Sequence, residues 1–131
     1  MSFERGAQVI ISDRDKAADE AAAHLGAVGV GNCDVTDETQ VQAAITEATG
    51  ILGGLDVLVN NAGIEISSPL MGQYTESFDQ ICAVNVRGPF VAMKAAIGAL
   101  MESRGNVVNI ASVAALAAVR DSDHIARQKL H

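Results

Sequence analysis

Residues 55–63 of this chain read LDVLVNNAG, and this stretch decides the fold class. Leu55 to Asn60 is a short apolar run in which neighbouring positions are both apolar, which predicts a strand with helices on both of its faces. Asn61, Ala62 and Gly63 then break the strand. Small residues at a strand end are typical of a tight turn, and they also allow a ligand or another backbone to approach closely.

Strand-like and helix-like runs alternate on both sides of this stretch. Strands are predicted at 7–12, 28–31, 55–60 and 106–111. Helices are predicted at 15–25, from an N-cap at Thr36 to Gly53-Gly54, and from about 75 to 103. This order predicts parallel strands joined by right-handed helical crossovers, an α/β fold with a three-layer, doubly wound sheet.

The composition argues against several classes of protein. The 131 residues are 49% hydrophobic and carry a net charge of −7; disorder and nucleic-acid binding are therefore not expected. No apolar run approaches the roughly 18–20 residues that a membrane span needs, and the N-terminus lacks the order of a signal peptide. The two cysteines, Cys33 and Cys82, have no partner at metal-ligand spacing, so no metal site is predicted. We expect a cytoplasmic domain with reduced thiols.

Two polar residues stand at predicted strand ends, where α/β folds bind their ligands. Asp13 closes the first strand, and an acid there accepts hydrogen bonds from the ribose hydroxyls of a dinucleotide; a solvated turn aspartate is the alternative. Ser112 follows the last strand and is equally compatible with an ordinary turn. The glycine-rich phosphate loop that precedes such an acid by about 20 residues is expected to be missing from this chain.

Asn85 lies within the predicted helix 75–103, four residues before Pro89. A proline has no amide hydrogen to donate to the carbonyl four residues earlier. The Asn85 carbonyl beside its own side-chain amide is therefore a candidate water-binding site, and an ordinary proline kink is the alternative. Lys129 alone is interpreted as a solvent-exposed lysine.

Together these motifs resemble the short-chain dehydrogenase/reductase family, over about residues 3 to 119. The motifs are, in order, Asp13, Cys33-Asp34-Val35-Thr36-Asp37, Asn60-Asn61-Ala62-Gly63, Asn85-Val86-Arg87-Gly88 and Val108-Asn109-Ile110-Ala111-Ser112. The resemblance implies a Rossmann-like fold and hydride transfer between a nicotinamide cofactor and a small-molecule alcohol or ketone. Residues 1–119 are then expected to form a partial domain of this type, followed by a divergent basic tail at 120–131, either an exposed tail or a different reading frame.

The resemblance also implies roles for individual residues. The cofactor-binding residues would be Asp13, Asp34, Val35, Asn61, Ala62, Gly63 and Lys129, and the catalytic residues Asn85, Ser112 and Lys129. Asp13 would favour NAD over NADP, since its charge would repel a 2′-phosphate. Ser112 would hydrogen-bond the substrate oxygen, and the Asn85 carbonyl would hold a relay water.

The chain departs from the family pattern at the proton donor. The family has a Tyr-x-x-x-Lys motif about a dozen residues after the serine; here Ile125 stands at the tyrosine position and Lys129 at the lysine position. Isoleucine has no proton to give. Because a general acid or base contributes roughly 10²–10⁴-fold, the chain is expected to be nearly inactive.

The family sheet, in strand order 3-2-1-4-5-6-7, is expected to be incomplete here, without its first strand and its C-terminal strands. The second and fourth family strands would then pair directly, leave open edges, or borrow a strand from another chain. Open apolar edges favour aggregation.

A non-catalytic interaction or dimerisation protein is the alternative function. The predicted helix 75–103 has two apolar sides, one with Met93, Ile97, Leu100 and Met101 and one with Ala92, Ala96 and Ala99. Two apolar sides indicate burial against both the sheet and a partner, and members of the family commonly pair through this helix. A homo-oligomer through helix 75–103 is therefore expected, unless the helix is buried within its own subunit.

Overall fold

Short strands alternate with helices along the part of the chain that the structure describes. The structure is a computed structural model, and it describes residues 6–15, 17–31, 33–66 and 70–112. The elements are β1 (Ile10–Ser12), α1 (Ala17–Leu25), β2 (Val28–Val30), α2 (Glu38–Leu52), β3 (Val57–Asn60), a 3₁₀ turn (Leu70–Gly72), α3 (Thr75–Cys82), a π-helical turn (Ala83–Arg87), α4 (Gly88–Ser103) and β4 (Asn106–Asn109). The predicted α/β fold with parallel strands is confirmed. The predicted tail at 120–131 lies outside the described residues.

The strands β1 and β2 form a parallel pair that α1 connects. The register runs from Ile10 opposite Val28 to Ser12 opposite Val30. Gly26, with φ 71°, ends α1 in the left-handed conformation that glycine adopts without strain. Both strands are shorter than predicted, because only three residues of each lie opposite one another.

The N-cap of α2 is Asp37, so the prediction of Thr36 as the cap was wrong. The Asp37 carboxylate accepts hydrogen bonds from the amides of Thr39 and Gln40, and α2 begins at Glu38. The Thr36 hydroxyl is engaged elsewhere, since it donates to the Asp34 carboxylate at 2.7 Å. Gly53, with φ 72°, ends the helix where the Gly53-Gly54 pair predicted its end.

The strands β3 and β4 form the second parallel pair, from Val57 opposite Asn106 to Asn60 opposite Asn109. The prediction that helices cover both faces of the strand at 55–60 was wrong for the described residues. Leu58 is half-buried against α4, whereas Val59 is 53% exposed. The alternation of exposure along β3 follows from a helix on one face only.

The predicted helix 75–103 is continuous but not uniform. Its middle turn, Ala83–Arg87, is π-helical, and the Gly88 amide donates to the Ala83 carbonyl five residues earlier. Pro89 follows at the start of α4 and cannot donate to the carbonyl four residues before it. The irregularity that Pro89 predicts is therefore a π turn, a feature that is frequent at functional sites.

The buried face of α4 differs from the prediction. Leu100 is buried together with Ala92 and Ala96, whereas Ile97 and Met101 are exposed. Leu100 therefore belongs to the face that packs against Leu55 and α2, and not to the outward side with Ile97.

Among the residues that the structure describes, no strand hydrogen bond joins the two strand pairs. Within the described residues, the order is β1-β2 in one sheet and β3-β4 in the other, so β1 and β3 each keep an open edge. Of the outcomes expected for these strands, direct pairing of β1 with β3 is wrong for the described residues. The helix layer of α2 and α4 joins the two pairs: Val41 and Val91 pack together, with Cys33 at the end of β2 and Leu58 of β3 against them.

The prediction that no stretch is long and apolar enough to span a membrane needs correction. The continuous helix Thr75–Ser103 has 29 residues and is long and apolar enough to cross a membrane, by length and composition alone. Its buried residues, Val91, Ala96 and Leu100 among them, pack against α2 and β3 as in a core helix. The length and apolar composition of this helix are therefore weak evidence for a membrane span.

Candidate functional site

A cleft of about 300 Å³ opens where the chain leaves β1, β2 and β3. The three strands end at the same side: β1 runs parallel to β2, and β2 and β3 contact the helix layer of α2 and α4. The lining residues are Ser12, Asp13, Arg14, Cys33, Asp34, Val35, Asn61, Ala62, Gly63, Ile64 and Val84. Ligands of parallel α/β sheets bind at this edge, beyond the carboxyl ends of the strands.

Asp13 lies on one wall of the cleft, just past β1. Its carbonyl accepts the amide of Cys33 at 3.1 Å, which holds the end of β1 beside the end of β2. One of its carboxylate oxygens accepts the Asp15 amide at 3.0 Å, so the chain makes a tight turn there and α1 begins at Ala17 rather than at the predicted Asp15. Arg14 brings a cation to the same wall.

A compact turn at Asp34 carries Val35 to the cleft. The Asp34 carboxylate accepts the hydroxyl of Thr36 at 2.7 Å and the amide of Thr36 at 2.8 Å. These two hydrogen bonds hold the pKa of Asp34 below its ordinary value, with a smaller contribution from the charge of Arg14. The Asp34 amide is held as well, since it donates to the side chain of Gln40.

The Cys33 thiol is half-buried in the cleft. Burial raises its pKa, the charges of Asp34 and Asp13 raise it further, and a hydrogen bond with Ser12 opposes the shift. The raised pKa disfavours the thiolate, which is the nucleophilic form of cysteine.

The opposite wall, residues 61–64, is held by Asn85. The side-chain oxygen of Asn85 accepts the amide of Ile64 and its side-chain nitrogen donates to the carbonyl of Ile64, both at 2.9 Å. This pair of hydrogen bonds satisfies both backbone groups of one residue in an exposed loop. On β3 itself, Asn60 donates to the side chain of Asn109 across the ladder at 2.8 Å.

Arg87 and Gly88 link the π turn to the Asp34 wall. Arg87 Nη1 donates to the carbonyl of Thr36 at 2.8 Å, and Arg87 Nη2 lies 3.6 Å from the carboxylate of Glu38. Glu38 also accepts from Lys94 at 2.9 Å, and its pKa lies below the ordinary value mainly through Lys94, with a smaller effect of Arg87.

The structure brings six of the predicted site residues around one cleft. They are Asp13, Asp34, Val35, Asn61, Ala62 and Gly63. Asn85 lies behind the wall at Ile64. Ser112 lies past β4, is exposed, and does not line the cleft. Ile125 and Lys129 lie outside the described residues.

Several residues around the cleft were given no role in the sequence analysis. Arg14, Ile64 and Val84 line it, and Arg87 supports it from behind. Arg14 and Ile64 directly follow Asp13 and Gly63, so their positions in the chain were a usable signal. The bond from Arg87 to Thr36 joins residues 51 positions apart, and no local pattern indicates it.

The residues at the cleft fit the adenosine half of a nicotinamide cofactor. A carboxylate past β1 suits ribose hydroxyls, and Val35 and Ala62 offer apolar contact for a base. Among the described residues, the nearest atom to the place of a Cβ on Gly63 is the side-chain oxygen of Asn85, at 3.7 Å, so the lack of a side chain leaves room there. Ligand pockets measure about 300–1,000 Å³, and a cleft at the small end of that range suits part of a dinucleotide.

Known proteins resemble this chain in sequence and in fold. A family model described as enoyl-(acyl carrier protein) reductase matches residues 2–130. An inactive 2-(S)-hydroxypropyl-CoM dehydrogenase 2 of Xanthobacter autotrophicus is 47% identical over 118 residues, which are 87% of this chain and 51% of that protein. A galactitol 2-dehydrogenase of Agrobacterium fabrum is 37% identical over 113 residues, 83% of this chain and 44% of that protein.

A solved structure agrees with these matches. The crystal structure of a gluconate 5-dehydrogenase from Burkholderia cenocepacia, in complex with NADP and tartrate, superposes with a TM-score of 0.81 at 31% identity, covering 96% of this chain and 52% of that one. The chain spans about half the length of the curated relatives it matches. Because the family model covers nearly all of the 131 residues and the relatives share both sequence and fold, the chain belongs to the short-chain dehydrogenase/reductase family.

Proposed function

We propose that this chain carries the adenosine-binding part of an oxidoreductase that transfers hydride between a nicotinamide dinucleotide and a small-molecule alcohol or ketone. One observation supports the proposal above the others. Six residues from three separate loops line a single cleft at the carboxyl ends of parallel strands. The cofactor, when bound, supplies the hydride donor or acceptor, and the protein supplies binding and orientation.

The proposal assigns a task to each group. Asp13 accepts the ribose hydroxyls, Asp34 and Val35 flank the adenine, and residues 61–63 line the adenosine half. Asn85 holds a relay water at its carbonyl, and Ser112 bonds the substrate oxygen. Lys129 binds the nicotinamide ribose. The Asn85 side chain, through its two bonds to Ile64, also keeps the 61–64 wall in place.

The proposed cofactor preference is NAD over NADP, because a carboxylate at Asp13 repels a 2′-phosphate. Two facts oppose it: Arg14 lines the same wall, and the gluconate 5-dehydrogenase of similar fold holds NADP. Calorimetric titration of the purified chain with NAD and NADP decides the matter. We expect NAD to bind about tenfold more tightly, a difference of about 1.4 kcal/mol.

Asp13→Asn removes the charge and is expected to bring the two affinities together. Asp56→Asn is the matched control, since Asp56 is an exposed acid that directly precedes β3 at its amino end, away from the cleft. Tighter binding of NADP by the unaltered chain would contradict the preference. No binding of either dinucleotide would contradict the cofactor site as well.

We also propose that the chain binds the cofactor but does not convert substrate, because Ile125 stands where the family has its tyrosine. A relative of 47% identity is itself named as inactive, which supports this part of the proposal. The test is NADH formation from a panel of secondary alcohols. We expect none from the unaltered chain, and any measurable turnover by it overturns the proposed inactivity.

Self-association is the second candidate function, and the outward side of α4 favours it. Three large apolar residues lie exposed there: Phe90 at 61%, Ile97 at 53% and Met101 at 73%. A second copy of the chain would bury them, which removes apolar surface from water. Sedimentation of the chain and of Ile97→Glu tests this, with a dimer expected for the first and a monomer for the second. A monomeric unaltered chain overturns it.

The proposal includes a reducing cytoplasmic location and no nucleic-acid partner. Cys33 and Cys82 are both free thiols, which persist in reducing compartments. The net charge of −7 disfavours contact with phosphate backbones.

A further inference from the structure

We propose that the π turn Ala83–Arg87 and the adjoining Gly88 set the geometry of the cleft, with Arg87 and Gly88 as positioning residues for the wall that carries Val35. The inference rests on the proposed cofactor function, and it names residues whose effect on binding is indirect. Neither residue lines the cleft. Both contact the segment that does.

The side chain of Arg87 holds the backbone of the 34–37 turn. Arg87 Nη1 donates to the Thr36 carbonyl at 2.8 Å, and Nη2 lies 3.6 Å from Glu38, the first residue of α2. The guanidinium is a planar fork with several donors, so it can hold the two groups at once. A lysine offers one point charge and can satisfy only one of them with comparable geometry.

Gly88 touches Val35 itself. A Cβ built on Gly88 would lie 3.1 Å from both Cβ and Cγ2 of Val35, tighter than ordinary van der Waals contact. Gly88 is buried, so a side chain there has no open space to take. Any residue larger than glycine would have to displace Val35 or the helix, and Val35 is the residue that the proposed function places against the adenine.

The same turn holds the other wall. Asn85, two residues before Arg87, bonds both backbone groups of Ile64. One helical turn is therefore tied to the loop after β2 through Arg87 and Gly88 and to the loop after β3 through Asn85. Since β1-β2 and β3-β4 share no strand hydrogen bonds among the described residues, these ties act together with the packing of α2 on α4 to relate one wall to the other.

Lys94 provides a matched control for Arg87. Both cations pair with the exposed Glu38 at the start of α2, Arg87 from the π turn and Lys94 from α4. Lys94 has the shorter contact, 2.9 Å against 3.6 Å. Only Arg87 also reaches the Thr36 carbonyl. If the ion pair with Glu38 were all that mattered, loss of Lys94 would have the larger effect on binding. If Arg87 positions the wall, loss of Arg87 has the larger effect.

The test compares Arg87→Met with Lys94→Met in the full chain, with AMP as the probe and calorimetry as the readout. Arg87→Met is expected to weaken AMP binding about fivefold to tenfold, since a charged donor to the wall is lost. Lys94→Met is expected to stay within about twofold. Arg87→Lys should recover part of the loss. Equal effects of the two methionine variants overturn the inference.

A second readout does not depend on any ligand. In amide spectra of the ligand-free chain, Arg87→Met and Gly88→Ala are expected to shift the signals of residues 34–37, and Lys94→Met and Glu38→Gln to leave the signals of Val35 and Thr36 in place. If the unaltered chain binds no AMP, the proposed function fails, and these signals still decide the positioning role. If Glu38→Gln reproduces the Arg87→Met shifts, the ion pair alone is responsible and the inference is wrong.

Discussion

At Thr36, two local structures compete for one hydroxyl. The residue has a good N-cap side chain and precedes Asp37-Glu38. In the structure its hydroxyl donates to Asp34 instead, and Asp37 caps α2. A hydrogen bond to a carboxylate is stronger than one between neutral groups, and Asp34 lies only two residues away. The outcome places Val35 at the top of a tight turn facing the cleft.

The Asp34–Thr36 pair predicts how stability depends on pH. The folded-state pKa of Asp34 is lowered, mainly by the Thr36 hydroxyl. The pair therefore stabilises the fold above the ordinary carboxyl pKa of about 4, and that contribution is lost as pH falls through the lower folded value. Thr36→Val is expected to cost about 0.5–1 kcal/mol at neutral pH, because the pair is only partly buried.

Urea unfolding at about pH 7 and about pH 2 measures this cost, and the difference between Thr36→Val and the unaltered chain should shrink at the lower pH. Thr46→Val is the control. Its hydroxyl donates to the Gln42 carbonyl within α2 and contacts no carboxylate there, so its cost should not change with pH. A Thr36→Val deficit that persists unchanged in acid would contradict the role of Asp34.

Among the secondary-structure elements, the positions of the strands could be predicted from the sequence, but the residues at which they begin and end could not. The apolar runs locate β3 and β4, but the ladder itself begins where Asn106 donates to the Asp56 carbonyl, a tertiary contact. Leu55, predicted as a strand residue, is buried beneath α4 without joining the ladder. The π turn was indicated only by Pro89, since the apolar periodicity of residues 75–103 passes through it without a break.

The cap of α2 gives a prediction for this element. The Asp37 carboxylate accepts the amides of Thr39 and Gln40 and the side-chain amide of Gln40. Asp37→Ala leaves those donors to water, and we expect it to cost about 1 kcal/mol. Asp37→Asn keeps an acceptor and should cost less than half of that. Thermal unfolding followed by circular dichroism measures both, and equal losses would show that charge, and not capping, is what Asp37 supplies.

For the molecule as a whole, the residues that line the cleft could be predicted from the sequence better than the contacts that hold its walls. The carboxyl ends of parallel strands meet at one edge, so residues predicted at the ends of β1, β2 and β3, such as Asp13 and Asn61, come together by topology alone. The contacts that hold the walls, from Arg87 to Thr36 and from Asn85 to Ile64, depend on how α2, α4 and the loops pack. Side-chain geometry of that kind has no periodic signature.

Two strand pairs without shared hydrogen bonds need something else to make them one folding unit. A two-stranded pair is marginally stable by itself in water. Here α4 packs against β3 and against α2, and α2 in turn packs against β2. The apolar core lies along that path, in one cluster around Val41 and Val91 and another around Leu55, Ala96 and Leu100. The helix layer is therefore expected to carry the cooperativity that a continuous sheet would supply.

Leu100 and its neighbour Met101 test that expectation. Leu100 is 4% exposed and packs with Leu55 and Ala96, whereas Met101 is 73% exposed. Leu100→Ala removes a buried side chain and should cost about 2–4 kcal/mol, a large share of the about 5–15 kcal/mol that stabilises a typical domain. Measured at a concentration where the chain is monomeric, Met101→Ala should change stability by about 0.5 kcal/mol or less. If the helix layer joins the two pairs, amide hydrogen exchange in Leu100→Ala becomes faster in β1 and β2 as well as in β3 and β4. Faster exchange confined to β3 and β4 would mean that the β1–α1–β2 unit folds independently of the layer.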